Sequence, residues 1–163
     1  MPRDRTIAAV AGADDFDFLL GSWDVHNRRH DAERGWEEFA GRSRVEQRVV
    51  AGLVQLDHFE ADWPTGELVK ALTIRAFERE TAQWSIVWLS NRQPHDFRPV
   101  VGAFADGVGR FHQVIETGDG APLHVEFVWD EITADSARWR QSFSVDAGTT
   151  WDLNWVMELT RRT

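Results

Sequence analysis

From Ser22 to the end of the chain, apolar and polar residues alternate with a period of two, and short breaks rich in Gly and Asp interrupt the pattern. Such alternation marks half-buried β-strand, because successive Cβ atoms point to opposite faces of a sheet. Strands are expected near 22 to 31, 36 to 50, 53 to 62, 68 to 78, 83 to 91, 97 to 105, 109 to 117, 122 to 132, 136 to 145 and 151 to 162. The breaks Asp106-Gly107, Gly118-Asp119-Gly120, Thr133-Ala134-Asp135-Ser136 and Asp146-Ala147-Gly148 are hairpin turn signals, so neighbouring strands should pair antiparallel. In a chain of 163 residues, about ten meandering strands make one domain, and closure into a barrel removes the exposed edges of an open sheet. The expected fold class is therefore all-β, an antiparallel up-and-down barrel with its domain over residues 14 to 163. Asp14 or Asp15 is expected to cap a short helical plug over Phe16 to Leu20, and residues 1 to 13 read as a flexible N-terminal arm.

Composition removes several function classes. With Cys 0 there is no disulfide, thiol catalysis or thiolate metal site, and with Tyr 0 there is no phenol chemistry. A net charge of -9 opposes a phosphate backbone or an anionic lipid surface, so neither nucleic acid nor membrane is an expected partner. Lys70 is the only lysine, which confines Schiff-base chemistry to one position. The first ten residues lack the apolar core of a signal peptide, so the expected location is cytoplasmic.

The chemistry that remains is aromatic, for the chain holds Trp 9 and Phe 10. Trp84, Trp88, Trp139 and Trp155 lie on the more apolar faces of their segments and should converge on one interior. Asn27, Arg29, Gln113 and Gln141 share faces with large apolar residues and would decorate that interior with polar groups. His58 and Glu60 follow Val54 and Leu56 in parity, so they too are expected inside, where a His beside a carboxylate could act as an acid-base pair or hold haem or a metal. Parity alone leaves Arg75 facing either way. The function expected is non-covalent binding of a small apolar or aromatic ligand. The alternatives are a barrel enzyme using His58 and Glu60, and a filled-core barrel acting as a homodimer or through protein interaction. No metal and no cofactor is expected, with haem as the lesser alternative.

Gly21-Ser22-Trp23 running into an alternating strand resembles the Gly-x-Trp opening of the lipocalin and calycin superfamily. That resemblance implies that Trp23 packs at the closed end beneath an arginine of the last strand, for which Arg161 is the matching residue. Over nearly the whole chain, "FDFLLGSWDV", "WSIVWL", "VVGAFADGVGRF" and "ARWRQSFSVDAGTTWDLNWVMEL" resemble the bacterial lipocalin-like proteins of the domain of unknown function 1579 family, which implies a fold and no activity. Ser144-x-Asp146-x-Gly148-x-Thr150-Trp151 resembles the Asp-box of sialidase propellers. A propeller would repeat it, so the single copy reads as a structural hairpin turn.

Overall fold

The computed structural model describes residues 10–163 as a closed antiparallel barrel. Its ten strands are β1 (Gly21–Asp31), β2 (Gly35–Val45), β3 (Val54–Asp62), β4 (Leu68–Glu78), β5 (Gln83–Ser90), β6 (Val100–Ala105), β7 (Val108–Glu116), β8 (Pro122–Asp130), β9 (Ser136–Ser144) and β10 (Asp152–Arg161). Each pairs with its sequence neighbour, and β1 closes the circle against β10. Two expected strands are shorter than the sequence pattern indicates. The second ends at Val45 because Val50, Ala51 and Gly52 take left-handed backbone angles, and the sixth begins only after Pro99. Asp106 and Gly107 both have positive φ, as the tight turn joining β6 to β7 demands.

The helical plug is not formed. The segment before β1 is a run of turns with a single 3-10 turn at Asp17–Leu19, and neither Asp14 nor Asp15 caps it, since the N-cap position is Phe16 and carries no side-chain hydrogen bond. Tertiary contacts hold this segment instead of helical periodicity. Gln55 Nε2 donates to the Phe16 carbonyl at 3.0 Å, and Arg48 donates to the Ala13 carbonyl at 3.1 Å and pairs with Asp17 at 2.9 Å. Of the expected N-terminal arm, residues 1–9 lie outside the described residues, while Ala13 is buried in the core.

The hairpin turns after β2, β4, β6 and β8 surround this closed end. Here Phe16 meets Trp84, Phe104 and Phe111 at ring-centroid separations of 4.9 to 5.6 Å, a packed aromatic floor. Trp23 is fully buried within it. Its indole N–H donates to the Leu19 carbonyl at 2.8 Å, and the Arg161 guanidinium lies 4.2 Å over its ring while donating to the Leu20, Phe18 and Ala134 carbonyls. Cation and indole together close the floor without leaving carbonyls unpaired.

Where β6 crosses β7 the backbones approach so closely that a Cβ on Gly102 would sit 1.8 Å from the Arg110 carbonyl oxygen. Gly102→Ala is therefore expected to destabilise by about 1 to 3 kcal/mol as the strands are forced apart. Urea melts showing a change within about 0.5 kcal/mol would refute this close approach. Among the described residues no helix is long and apolar enough to cross a membrane.

Candidate functional site

At the other end, between the turns after β1, β3, β5, β7 and β9, the interior is not filled by side chains. A cavity of about 380 Å³ remains, within the range that holds one small molecule. The filled-core reading therefore loses its premise. Strand parity brings the lining together: alternate residues of every strand face inward, and tryptophan recurs at that parity in several of them.

Trp155 on β10 is the hub. The rings of Trp139, Trp63 and Trp88 lie 5.4, 5.7 and 5.9 Å from it, each close to perpendicular. Phe127 packs edge-on to Trp139 at 4.9 Å, and Phe59 tilts against Trp88 at 5.3 Å. Edge-to-face contacts of this kind fix ring planes rather than merely filling space. Asn27 reinforces the arrangement from behind, its side-chain oxygen accepting the Trp155 indole N–H at 3.1 Å. The cavity thus has walls of oriented aromatic rings.

Below the indoles lies a buried polar network. Arg75 is 3% exposed and donates to Asp57 at 2.7 Å and to the Gln55 side-chain oxygen at 2.9 Å, while Ser43 donates to the second Asp57 oxygen. Its guanidinium carbon also stands 5.0 Å over Phe16 and 5.7 Å over Trp129, so the network seats the cavity on the aromatic floor. A desolvated charge pair is tolerable here because each ion has two hydrogen-bond partners, although Arg75 Nε has none among the described residues.

Above the indoles, the mouth is arginine-rich. Arg29 lies 5.3 Å over Trp63 and 5.6 Å over Trp155, and Arg92 lies 4.5 Å over the same Trp63 ring. Burial first, and then the neighbouring charge of Arg92, pull the Arg29 pKa below that of an ordinary arginine. The segment between β5 and β6 is held across the mouth where Arg98 pairs with Asp96 at 2.7 Å and its carbonyl accepts from Gln113 Nε2 at 3.1 Å. Beneath it, β5 and β6 share only the pairs from Trp84 to Ile86, so the upper half of β5, with Trp88 and Ser90, has no β6 partner.

The structure sorts the sequence candidates. Arg29, Arg75, Trp88, Gln113, Trp139, Gln141 and Trp155 line the cavity, and Arg75 faces inward. Trp84 and Asn27 are buried but off the cavity, one in the floor and the other behind Trp155. His58 and Glu60 are exposed on the outer face, contrary to the expectation. His58 pairs with Glu46 at 3.2 Å, and the inward residues of β3 are Gln55, Asp57, Phe59 and Ala61. The acid-base pair expected inside does not exist, and none of the six histidines lines the cavity that a His58-bound haem would need. Parity failed on β3 because its inner face carries Gln55 and Asp57, whose polarity is satisfied by Arg75 on the neighbouring strand.

Trp63, Asp57 and Arg92 are among the lining residues that sequence reasoning missed. The turn Pro64-Thr65-Gly66 held the signal for the first two: it sets the β3 to β4 register, which places Gln55 opposite Arg75 and Asp57 opposite Thr73. Arg92 lies in an aperiodic loop with no such signal. Ser144 to Trp151 is a hairpin turn outside the cavity. Ser144 donates to Asp146 at 2.7 Å, the Gly148 N–H donates to Ser144 Oγ at 2.8 Å, and the Trp151 ring covers Gly148. Hydrogen bonds from Thr150 and Ser144 hold the Asp146 carboxyl down to about 2.

No family model matches the chain, and no curated protein matches it in sequence. Solved structures do match its shape. It is similar to the S-type phycobiliprotein lyase CPES from Guillardia theta, at 13% identity and a TM-score of 0.65, over 91% of this chain and 90% of that one. It is also similar to Rv2717c from M. tuberculosis, at 12% identity and a TM-score of 0.63, over 95% of this chain and 100% of that one. At these identities the likeness shows the fold alone, a lipocalin-like β-barrel, which in this chain has ten strands.

Proposed function

We propose that the barrel binds one small, largely apolar or aromatic molecule non-covalently in its interior. The observation that carries this reading is the cavity of about 380 Å³ walled by Trp63, Trp88, Trp139 and Trp155, whose rings already hold one another edge to face. A rigid aromatic wall loses little conformational freedom when a flat molecule enters, so burial of the ligand's surface is only weakly offset by ordering. Membership of the domain of unknown function 1579 group is part of the same proposal and adds no activity to it.

Calorimetric titration of the full chain with 2-naphthamide, a neutral flat aromatic, is expected to give saturable binding of one molecule with quenching of indole emission. Trp88→Ala should weaken it by about tenfold, the order expected for loss of one aromatic contact of about 1 kcal/mol with its buried area. Trp36→Ala should leave it unchanged, since Trp36 is half exposed on the outer wall and does not line the cavity. Folded protein that shows no saturable binding of this probe, or binding that ignores Trp88, would sink the reading.

A further inference from the structure

The charges around the cavity do not cancel evenly. Its lining carries four arginines, Arg29, Arg75, Arg92 and Arg98, against two carboxylates, Asp57 and Asp96. Arg75 is neutralised by Asp57 at 2.7 Å and Arg98 by Asp96 at 2.7 Å. The other two arginines crowd one indole from different strands: Arg29 comes from β1 and Arg92 from the segment after β5, both over the ring of Trp63. Arg92 has a distant partner in Glu67 at 3.6 Å, on the solvent side of the mouth. Arg29 has none within 4.0 Å among the described residues. The carboxylates whose charge acts on it, Asp31 and Glu37, are both engaged by Arg34, at 3.1 and 2.5 Å.

A guanidinium stacked on an indole keeps its edge of N–H donors free, and that edge matches a planar carboxylate with two parallel hydrogen bonds. Two like charges brought together over one ring in a protein of net charge -9 are offset by an anion placed between them. The lowered pKa of Arg29 registers the same cost of burial and repulsion. Arg75 is the poorer site for this role: its Nε has no partner among the described residues, but both terminal nitrogens already donate to Gln55 and Asp57, and an incoming carboxylate would meet Asp57 beside it.

We infer that the cavity's ligand is an aromatic monocarboxylate that lies body-first among the indoles, with its carboxylate held at the mouth by Arg29 and flanked by Arg92. This inference rests on the binding reading above and adds the class of ligand and its orientation. Arg29 is the one lining arginine with no carboxylate within 4.0 Å among the described residues, which suits one carboxylate, and the polar but charge-balanced base at Arg75 and Asp57 repels none of the neutral ring that reaches it.

The test compares 2-naphthoate with 2-naphthamide, which share size and planarity and differ in charge, by calorimetry on the full chain at neutral pH. The carboxylate is expected to bind about tenfold or more tightly, as charge-assisted hydrogen bonds warrant, and the advantage should shrink at high salt. Arg29→Met, which keeps the apolar stem over Trp63, should bring the two affinities within about twofold by weakening the carboxylate far more than the amide. Arg29→Lys should restore part of the preference. Equal affinities in the unaltered protein, or a preference that survives Arg29→Met, would overturn the inference while leaving the binding reading standing. If neither probe binds, the binding reading itself fails and the inference falls with it. The wild-type comparison and its salt dependence need no variant, so they decide even if Arg29→Met does not fold.

Discussion

Trp23→Ala is expected to lower stability by about 3 to 5 kcal/mol, the range for deleting a large buried aromatic. Trp23 is fully buried, and three things are lost with it. The packing of the floor loses a whole indole, the Leu19 carbonyl loses its donor at 2.8 Å, and Arg161 loses the ring 4.2 Å beneath it. The void cannot be closed by collapse, because Arg161 is pinned by the carbonyls of Phe18, Leu20 and Ala134 and the strands are held in a closed circle. Arg161→Met should cost less, about 1 to 2 kcal/mol, since its stem can still cover the indole while the carbonyls turn to water. The two changes combined should fall short of the sum of their separate effects, as contacting residues do. Urea melts are the measurement, and a loss below about 1 kcal/mol for Trp23→Ala would mean that the floor is not closed by this residue.

The fold was legible because its rules are local. Alternation marked the strands and Asp-Gly marked turns, and the segments expected at 68 to 78 and 83 to 91 match β4 and β5 closely. The site was legible only where each strand's inner face is the more apolar one. Trp88, Trp139 and Trp155 satisfy that condition, and they are where the walls of the cavity stand. On β3 the condition fails. Leu56 and the adjacent outer residues of β4, Leu72 and Ile74, are half-buried on the outside, while Gln55 and Asp57 face inward. A single strand cannot reveal this inversion, because what makes Asp57 tolerable inside is Arg75 on another strand. Trp63 escaped notice for a related reason. It lies just past the end of β3 and reads as loop, yet it continues the parity of Phe59 and Ala61 into the mouth.

That cross-strand dependence sets the second large effect. Arg75→Met is expected to cost about 3 to 5 kcal/mol, because it strands a buried carboxylate, and Asp57→Leu should cost a similar amount by stranding the guanidinium. Arg75 and Asp57 stand 2.7 Å apart, with side chains 3% and 9% exposed, so water cannot readily take the place of the missing partner. The double variant Arg75→Met with Asp57→Leu removes both charges and should lose less than either single variant, since desolvation of the ions disappears along with their attraction. Gln55 would keep its bond to the Phe16 carbonyl, so the floor segment should remain seated in all three proteins. Denaturant melts of the set give the coupling directly. Single variants that each lose under about 1 kcal/mol would show that solvent reaches the pair, in which case the base of the cavity is wet and open to a second charged group. Large single losses with a milder double would establish instead that the base is sealed, leaving the mouth at Arg29 as the place where a ligand's charge has to be met.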